Sequence, residues 1–507
     1  MVLTQSPRGG ERRHSFVDET LAKDRLGSVG VSQFVLTSAA PLLVVAGIVT
    51  TAWAVTGVVA TPAAFLPMAV LLAVFGFGYT AMSRRVPNAG ALYSFCAHGL
   101  GRPVGVAVGL LTLVVYNLLQ VGLYGIFGVV ASGMLDQNLG LDVGWWACAL
   151  VMWAATALMG RRRVDLNGRV LAVLLAGELA FVLLASLVGL LHPADGHVSL
   201  AALNPANLLG AGGAIAGTAL AVVGLAFVGF EQAPVYVEES RNPARTIPWA
   251  LFGSLGLMLF VYGLGSWAMS VAVGPAHIVE QAQAQSVELL FTVAAPLGSA
   301  VLFIGHLLFL TSLFAASLAF HNTTNRYTFA LGREGVLPRA LARTSPRTGA
   351  PAAASWLQTS IGFSAIALYT VMGWDPLVQM TFYLGGAGGV GVLLALAIAA
   401  VAILFYLPRR SPGGLWVTII APLLSAVGLL AVCVLCLSHY ATLLGLPPSD
   451  PLTWIFPAAY GVILATGLAW GLIMRATRPS DYALIGHGAT IAPATIATTI
   501  ATSGAAR

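Results

Sequence analysis

Charge is what this chain has least of. Only 8% of its 507 residues are Asp, Glu, Lys or Arg, against 58% hydrophobic. That shortage excludes an ordinary soluble domain, in which about a quarter of the residues are charged. Lysine is nearly absent: Lys23 stands alone beside 23 arginines. With abundant Ala, Val and Gly, this bias suggests a GC-rich bacterial source. Cysteine is scarce, and Cys96, Cys148, Cys433 and Cys436 all lie in or beside apolar runs. The CxxC spacing of Cys433 and Cys436 has no polar company, so small core residues are expected rather than a metal or redox pair. No HExxH motif and no recognisable Ser/His/Asp spacing is present, and no stretch between apolar runs is long enough for an enzyme domain. An enzyme, a bound metal and a cofactor are therefore not expected. Nor is a cleavable signal peptide, because the polar stretch before residue 31 is too long for its first region.

What is there is a succession of apolar runs, each near the ~20 residues that a membrane-spanning helix needs. Twelve segments are expected: 32–58, 64–82, 104–131, 145–159, 170–191, 213–237, 248–272, 294–320, 352–371, 379–406, 415–437 and 453–474. The fourth is short, and the third and eighth are long. With both termini cytoplasmic, every Lys and Arg falls on the inner side. The basic clusters are Arg8 to Arg25, Arg84 to Arg102, Arg161 to Arg169, Arg241 with Arg245, Arg326 to Arg347, Arg409 with Arg410, and Arg475, Arg478 and Arg507. The outer loops then hold Asp136, Asp142, Asp195, Glu280, Glu288, Asp375 and Asp450 and no basic residue. So clean a split is what the positive-inside rule produces. The net charge of +6 then calls for no nucleic-acid partner; topology accounts for it, helped by anionic lipid. Residues 1–31 and 475–507 are expected to be mostly unstructured cytoplasmic tails.

Two segments are interrupted near mid-membrane. Segment 1 contains Thr37-Ser38-Ala39-Ala40-Pro41, and segment 6 contains Phe230-Glu231-Gln232-Ala233-Pro234 behind Gly229. Each reads as two half-helices around an unwound link, with Pro opening the second half. Segments 1 and 6 begin two five-segment halves, 32–191 and 213–406, whose orientations are opposite because five is odd. Segments 11 and 12 (415–474) fall outside them. Matching interruptions in two inverted halves point to the binding site of a secondary transporter. The alternative, a simple Pro kink in a packed helix, fits segment 6 poorly, since a carboxylate in lipid costs about 2.5–3.5 kcal/mol or more.

At these residues the chain resembles the amino acid–polyamine–organocation superfamily of permeases. The match is carried by Phe227-x-Gly229-Phe230-Glu231 and by Glu238-Glu239-x-x-Asn242-Pro243-x-Arg245-x-Ile247-Pro248. Pro87-Asn88-Ala89-Gly90-Ala91-Leu92-Tyr93, Asn325-Arg326-Tyr327 and Gly332-Arg333-Glu334-Gly335-Val336-Leu337-Pro338 support it. The resemblance implies an all-α, LeuT-like fold of ten core helices in two inverted repeats plus two peripheral helices. It also implies uptake or exchange of amino acids or related amines. In one respect the chain departs from the pattern: Ser38-Ala39-Ala40-Pro41 stands where many members carry Gly-Ser/Thr-Gly.

The second half-helix of segment 1 directs free amides toward the membrane centre, where a carboxylate is favoured. Ser38, Ala39, Ala40, Pro41 and Leu42 are the candidates for that contact. Segment 6 presents unpaired carbonyls near Gly229, suited to an ammonium group, and Phe227 and Phe230 are candidate covers over the substrate. Glu178 in segment 5 and Glu231 are the acidic residues well inside the spans, and both are candidate proton carriers. Glu231 has a further role open to it, direct contact with a substrate amine, and Glu178 a purely structural one. The resemblance brings in a segment 5 lysine that replaces a coupling cation in several members; this chain has no lysine in any span. His306, Asn117 and Gln120 are weaker candidates, with interhelical packing the default. Ion pairs among Glu238, Glu239, Arg241, Arg245 and Arg326 are candidates for a cytoplasmic gate. The expected function is proton-coupled or exchanging amino acid transport at the bacterial plasma membrane, with sodium also open as a coupling ion. A polyamine or other organic-amine carrier is the alternative, and a substrate-sensing receptor a further one.

Overall fold

The computed structural model of the chain describes residues 21, 23–162, 164–210, 212–410 and 414–488, without the side chains of 164–166 and 214. Much of both expected tails therefore lies outside the described residues. Among these residues there is no strand, and a single isolated bridge joins Leu26 to Ser240. Among the described residues ten helices are long and apolar enough to cross a membrane, from Ser28–Thr56 to Leu452–Thr477. The other two expected segments are also helical. Trp145–Met159 has 15 residues and falls short of that length, and Ala352–Met372 has 21 but is not among the ten.

Several helices open on a proline that needs no amide partner, among them Thr61–Ser83, Arg102–Leu139 and Pro243–Val273. Helix Arg102–Leu139 has 38 residues, about 57 Å of rise, well beyond a ~30 Å hydrocarbon core. It therefore tilts or projects from the bilayer. Lipid-facing side chains such as Trp454 and Val462 are more than 60% exposed, whereas Thr, Ser, Asn, Gln and Glu residues gather inside. Close helix approach rests on small residues. A Cβ added at Gly467 would stand 2.4 Å from the Ala107 Cα, and one at Gly471 would stand 2.7 Å from that of Pro103. Spaced four apart, these glycines let helix Leu452–Thr477 pack closely on helix Arg102–Leu139, as dispersion-driven packing in lipid requires.

In contrast to the unstructured tail expected after 475, the described part of that tail is held. A short helix, Pro479–Leu484, follows helix Leu452–Thr477. The Gly486 and Gly488 amides then donate to the Glu334 carboxylate, which also accepts from Asn88 Nδ2 at 2.7 Å and Tyr93 Oη at 2.8 Å.

Candidate functional site at two broken helices

Segment 1 breaks where its sequence implies. Helix Ser28–Ser38 ends, Ala40 takes a left-handed conformation (φ 44°), and Pro41 opens the next helical turn. A non-glycine residue there stores about 1–2 kcal/mol of strain, of the kind that collects at functional sites. Ser38 Oγ turns back to donate to Val35 O at 2.8 Å, so its hydroxyl is committed to its own helix.

Segment 6 breaks three residues before Phe230. Helix Gly213–Ala226 ends, and a ten-residue 3₁₀ helix runs over Phe230–Glu239. Pro234 lies inside that 3₁₀ helix instead of opening the second half as the sequence suggested. The pivot is Gly229, whose φ of 117° only glycine adopts readily. A Cβ there would also stand 2.5 Å from Ser38 Oγ and 3.0 Å from the Ala39 amide nitrogen. The two breaks therefore press directly on each other. Phe227 and Phe230 are fully buried in the aromatic wall around this contact. Phe227 lies against Phe65 and Tyr262 with ring centroids 6.0 and 5.8 Å away, and Phe230 lies 6.1 Å from Phe75.

Both buried carboxylates sit at the breaks, with different partners. Glu231 Oε1 accepts from Tyr116 Oη at 2.6 Å and Oε2 from the Gly229 amide at 2.7 Å, while Tyr79 Oη donates to the Glu231 carbonyl at 2.8 Å. The side chain thus caps its own break. Glu178 reaches the other break: Ser312 Oγ donates to its Oε2 at 2.7 Å, and the Leu42 backbone lies beside the carboxyl. No described group hydrogen-bonds its Oε1. Tyr262 completes this corner by donating to Ala39 O at 3.3 Å. Leu42, expected to offer its amide to a substrate carboxylate, therefore has a protein carboxyl beside it. Tyr116, Tyr79, Tyr262 and Ser312 had not stood out in the sequence, and their one signal was a hydroxyl within an apolar run.

On the face carrying the basic residues, two ion pairs join segments 6 and 8. Arg326 grips Glu239 with both arms of its guanidinium, Nε–Oε2 2.5 Å and Nη2–Oε1 3.0 Å, and lies 4.6 Å from the centre of the Tyr236 ring. Each partner is 2% exposed. Glu238 pairs instead with Arg333 at 2.7 and 2.8 Å and accepts from the Ala89 amide at 3.0 Å. Arg241 and Arg245 are exposed and meet neither carboxylate; Arg241 Nε donates to Asp24 O at 3.1 Å. Arg333 was the missed partner. It stands seven residues after Arg326, two helical turns on, and so shares its face. The chain before segment 1 meets the same region, because the Arg25 and Leu26 amides both donate to Glu239 O.

The weaker candidates have other duties. His306 pairs with Glu288 at 3.1 Å and stacks on Phe291 at 3.9 Å. Asn117 donates to Leu113 O in its own helix, and Gln120 bridges Tyr124 and Gln358. His321 meets Ser355 Oγ at 2.9 Å. The four cysteines are free and buried, and among the described residues no three His, Cys, Asp or Glu side chains could hold a metal.

A family model described as amino acid permease matches residues 29–468. The branched-chain amino acid permease BcaP of Lactococcus lactis subsp. cremoris is 26% identical over 312 residues, 57% of this chain. That match spans 64% of the relative, just under two thirds of its length. The BcaP of Bacillus subtilis is 25% identical over 354 residues, 66% of this chain and 70% of its own. The low-affinity putrescine importer PlaP of Escherichia coli is 24% identical over 337 residues, 64% of this chain and 72% of its own.

Proposed function

Because the chain belongs to the amino acid permease family, we propose that this multi-pass membrane protein carries amino acids across the plasma membrane as a secondary transporter. It works by alternating access around the two breaks. In this reading Trp145–Met159 and Ala352–Met372 complete twelve crossings, arranged as two inverted five-helix repeats plus two peripheral helices. Both termini are cytoplasmic, and the Glu239–Arg326 and Glu238–Arg333 pairs are the closed inner gate.

The observation that carries the proposal is the contact of Gly229 with Ser38 and Ala39, with a buried carboxyl at each break. Two interrupted helices that meet this way bring the N-terminal end of one and the C-terminal end of the other to one point, and their dipoles complement an α-amino acid's invariant ends. In this conformation the Ala39 and Ala40 amides donate to Val35 O and Thr37 O, and the Gly229 carbonyl accepts from the Gln232 amide. Glu178 is the proton carrier: it is buried, Ser312 donates to one of its oxygens, the other has no close donor, and the Leu42 backbone of the segment 1 break lies beside the carboxyl. Protonation there changes the charge beside the amides that receive the substrate. Glu231, with both oxygens engaged, holds the shape of segment 6.

The test is purified protein in liposomes, offered labelled branched-chain, other neutral, acidic and basic amino acids under imposed pH or sodium gradients. Accumulation of an amino acid driven by an inward proton gradient is expected. Accumulation driven by sodium and indifferent to pH would remove proton coupling, and no uptake of any amino acid would remove the substrate class. Similarity to a putrescine importer favours a second reading, an organic-amine carrier. Putrescine belongs in the panel, and its uptake without that of any amino acid selects that reading.

A further inference from the structure

Away from the two breaks, on the face carrying the basic residues, a cavity of about 570 Å³ opens. It lies between the start of helix Arg102–Leu139, the end of helix Leu384–Arg410 and the described C-terminal segment. Arg102, Arg409, Arg410, His98 and His487 line it, and among the described residues no aspartate or glutamate does. The carboxylates nearby are committed elsewhere: Glu334 receives four donors, and Asp481 pairs with Arg339 at 2.6 Å. Aromatic rings hold the cations in place. The Arg102 guanidinium lies 5.1 Å from the Tyr482 ring centre, Arg409 lies 5.9 Å from that of Phe405, and His98 sits edge-on to Tyr406.

Three guanidiniums around one cavity, drawn from two separate helices, repel one another, and an anion between them relieves that repulsion. The volume suits a small-molecule group. Guanidinium forks match phosphate oxygens in pairs. Arg409 and Arg410 end a membrane-crossing helix, which sets the cavity at headgroup depth, where basic pockets between helices receive anionic headgroups. We propose that this cavity binds a phosphate group, presented by an anionic phospholipid or by a soluble phosphate compound. Burial holds His98 below the ordinary histidine value, against the Ser94 carbonyl and Glu334, with the neighbouring His487 and Arg102 adding to the effect of burial. Burial and Arg102 do the same to His487. A bound phosphate would place an anion beside both imidazoles. It also ties the segment that clamps Glu334 to the ends of two membrane helices.

The test uses full-length protein in neutral detergent and two probes, neither of them a transport substrate, so the outcome is independent of the transport reading. Native mass spectrometry measures retention of cardiolipin against phosphatidylcholine, and calorimetry measures binding of inorganic pyrophosphate. The variants are Arg409→Gln with Arg410→Gln, Arg102→Gln, and a charge-matched control of exposed residues on the same face, Arg343→Gln with Arg347→Gln. Preferential cardiolipin retention identifies a lipid source, and pyrophosphate binding identifies a soluble one. In either case the cavity variants should weaken binding roughly tenfold or more, with the control pair near wild type. Equal loss in cavity and control variants, undiminished binding in all of them, or no preference for either probe over phosphatidylcholine overturns the proposal.

Discussion

Glu178 and Glu231 are equally buried, 0% and 1% exposed, yet their surroundings differ in kind. Glu231 is enclosed by donors, with Tyr116 and the Gly229 amide on separate oxygens. Glu178 has Ser312 on one oxygen and no hydrogen bond on the other. Depth alone therefore says little about what a membrane carboxylate does. A carboxyl whose acceptors are all engaged braces the backbone around it, while one with spare capacity can exchange a proton or receive a ligand. The contrast underlies the proposal that Glu231 holds the shape of segment 6 and Glu178 couples transport at segment 1.

The most severe way to break that contrast is to separate the two breaks from each other. Gly229→Ala places a Cβ against Ser38 Oγ and forces a left-handed backbone on a residue that resists it. The conformation alone costs about 1–2 kcal/mol, and the clash adds to it. Uptake and exchange should both vanish, with a lowered unfolding temperature in detergent; wild-type transport would mean that the breaks need not touch. Next comes Glu231→Gln, which turns an amide NH₂ toward either Tyr116 Oη or the Gly229 amide. Leaving one such buried group unmatched costs about 1–3 kcal/mol. Thermal unfolding should shift downward, with exchange and gradient-driven uptake falling in proportion. Ser312→Ala is gentler, removing the hydroxyl on Glu178 at about 1 kcal/mol. It should move the pH of half-maximal uptake, as Glu231→Gln should not; the opposite pattern in pH profiles would exchange the two roles.

Much of this was legible in the sequence because lipid makes local rules strict. A helix breaker and a charge inside an apolar run have few explanations, so both breaks, the family motifs and the two carboxylates stood out. What escaped depends on residues far apart in the chain. Tyr116 lies 115 positions before Glu231 and Ser312 lies 134 after Glu178, and nothing local to either carboxylate reveals these two donors. The ion pairs proposed as a gate were half legible. Glu239–Arg326 was among the candidates, but proximity in sequence favoured Arg241 and Arg245, whereas helical phase brings Arg333 to Glu238. The terminal segment was missed because its backbone amides, which every residue carries, hold it on Glu334.

The most direct measurement compares two modes of transport in liposomes carrying Glu178→Gln. Glutamine keeps an oxygen for Ser312 but cannot release a proton. Exchange of internal for external labelled substrate should continue near the wild-type rate, while accumulation driven by an imposed proton gradient should fall to the level of protein-free liposomes. Accumulation that persists at the wild-type level in this variant would contradict the assignment of coupling to Glu178.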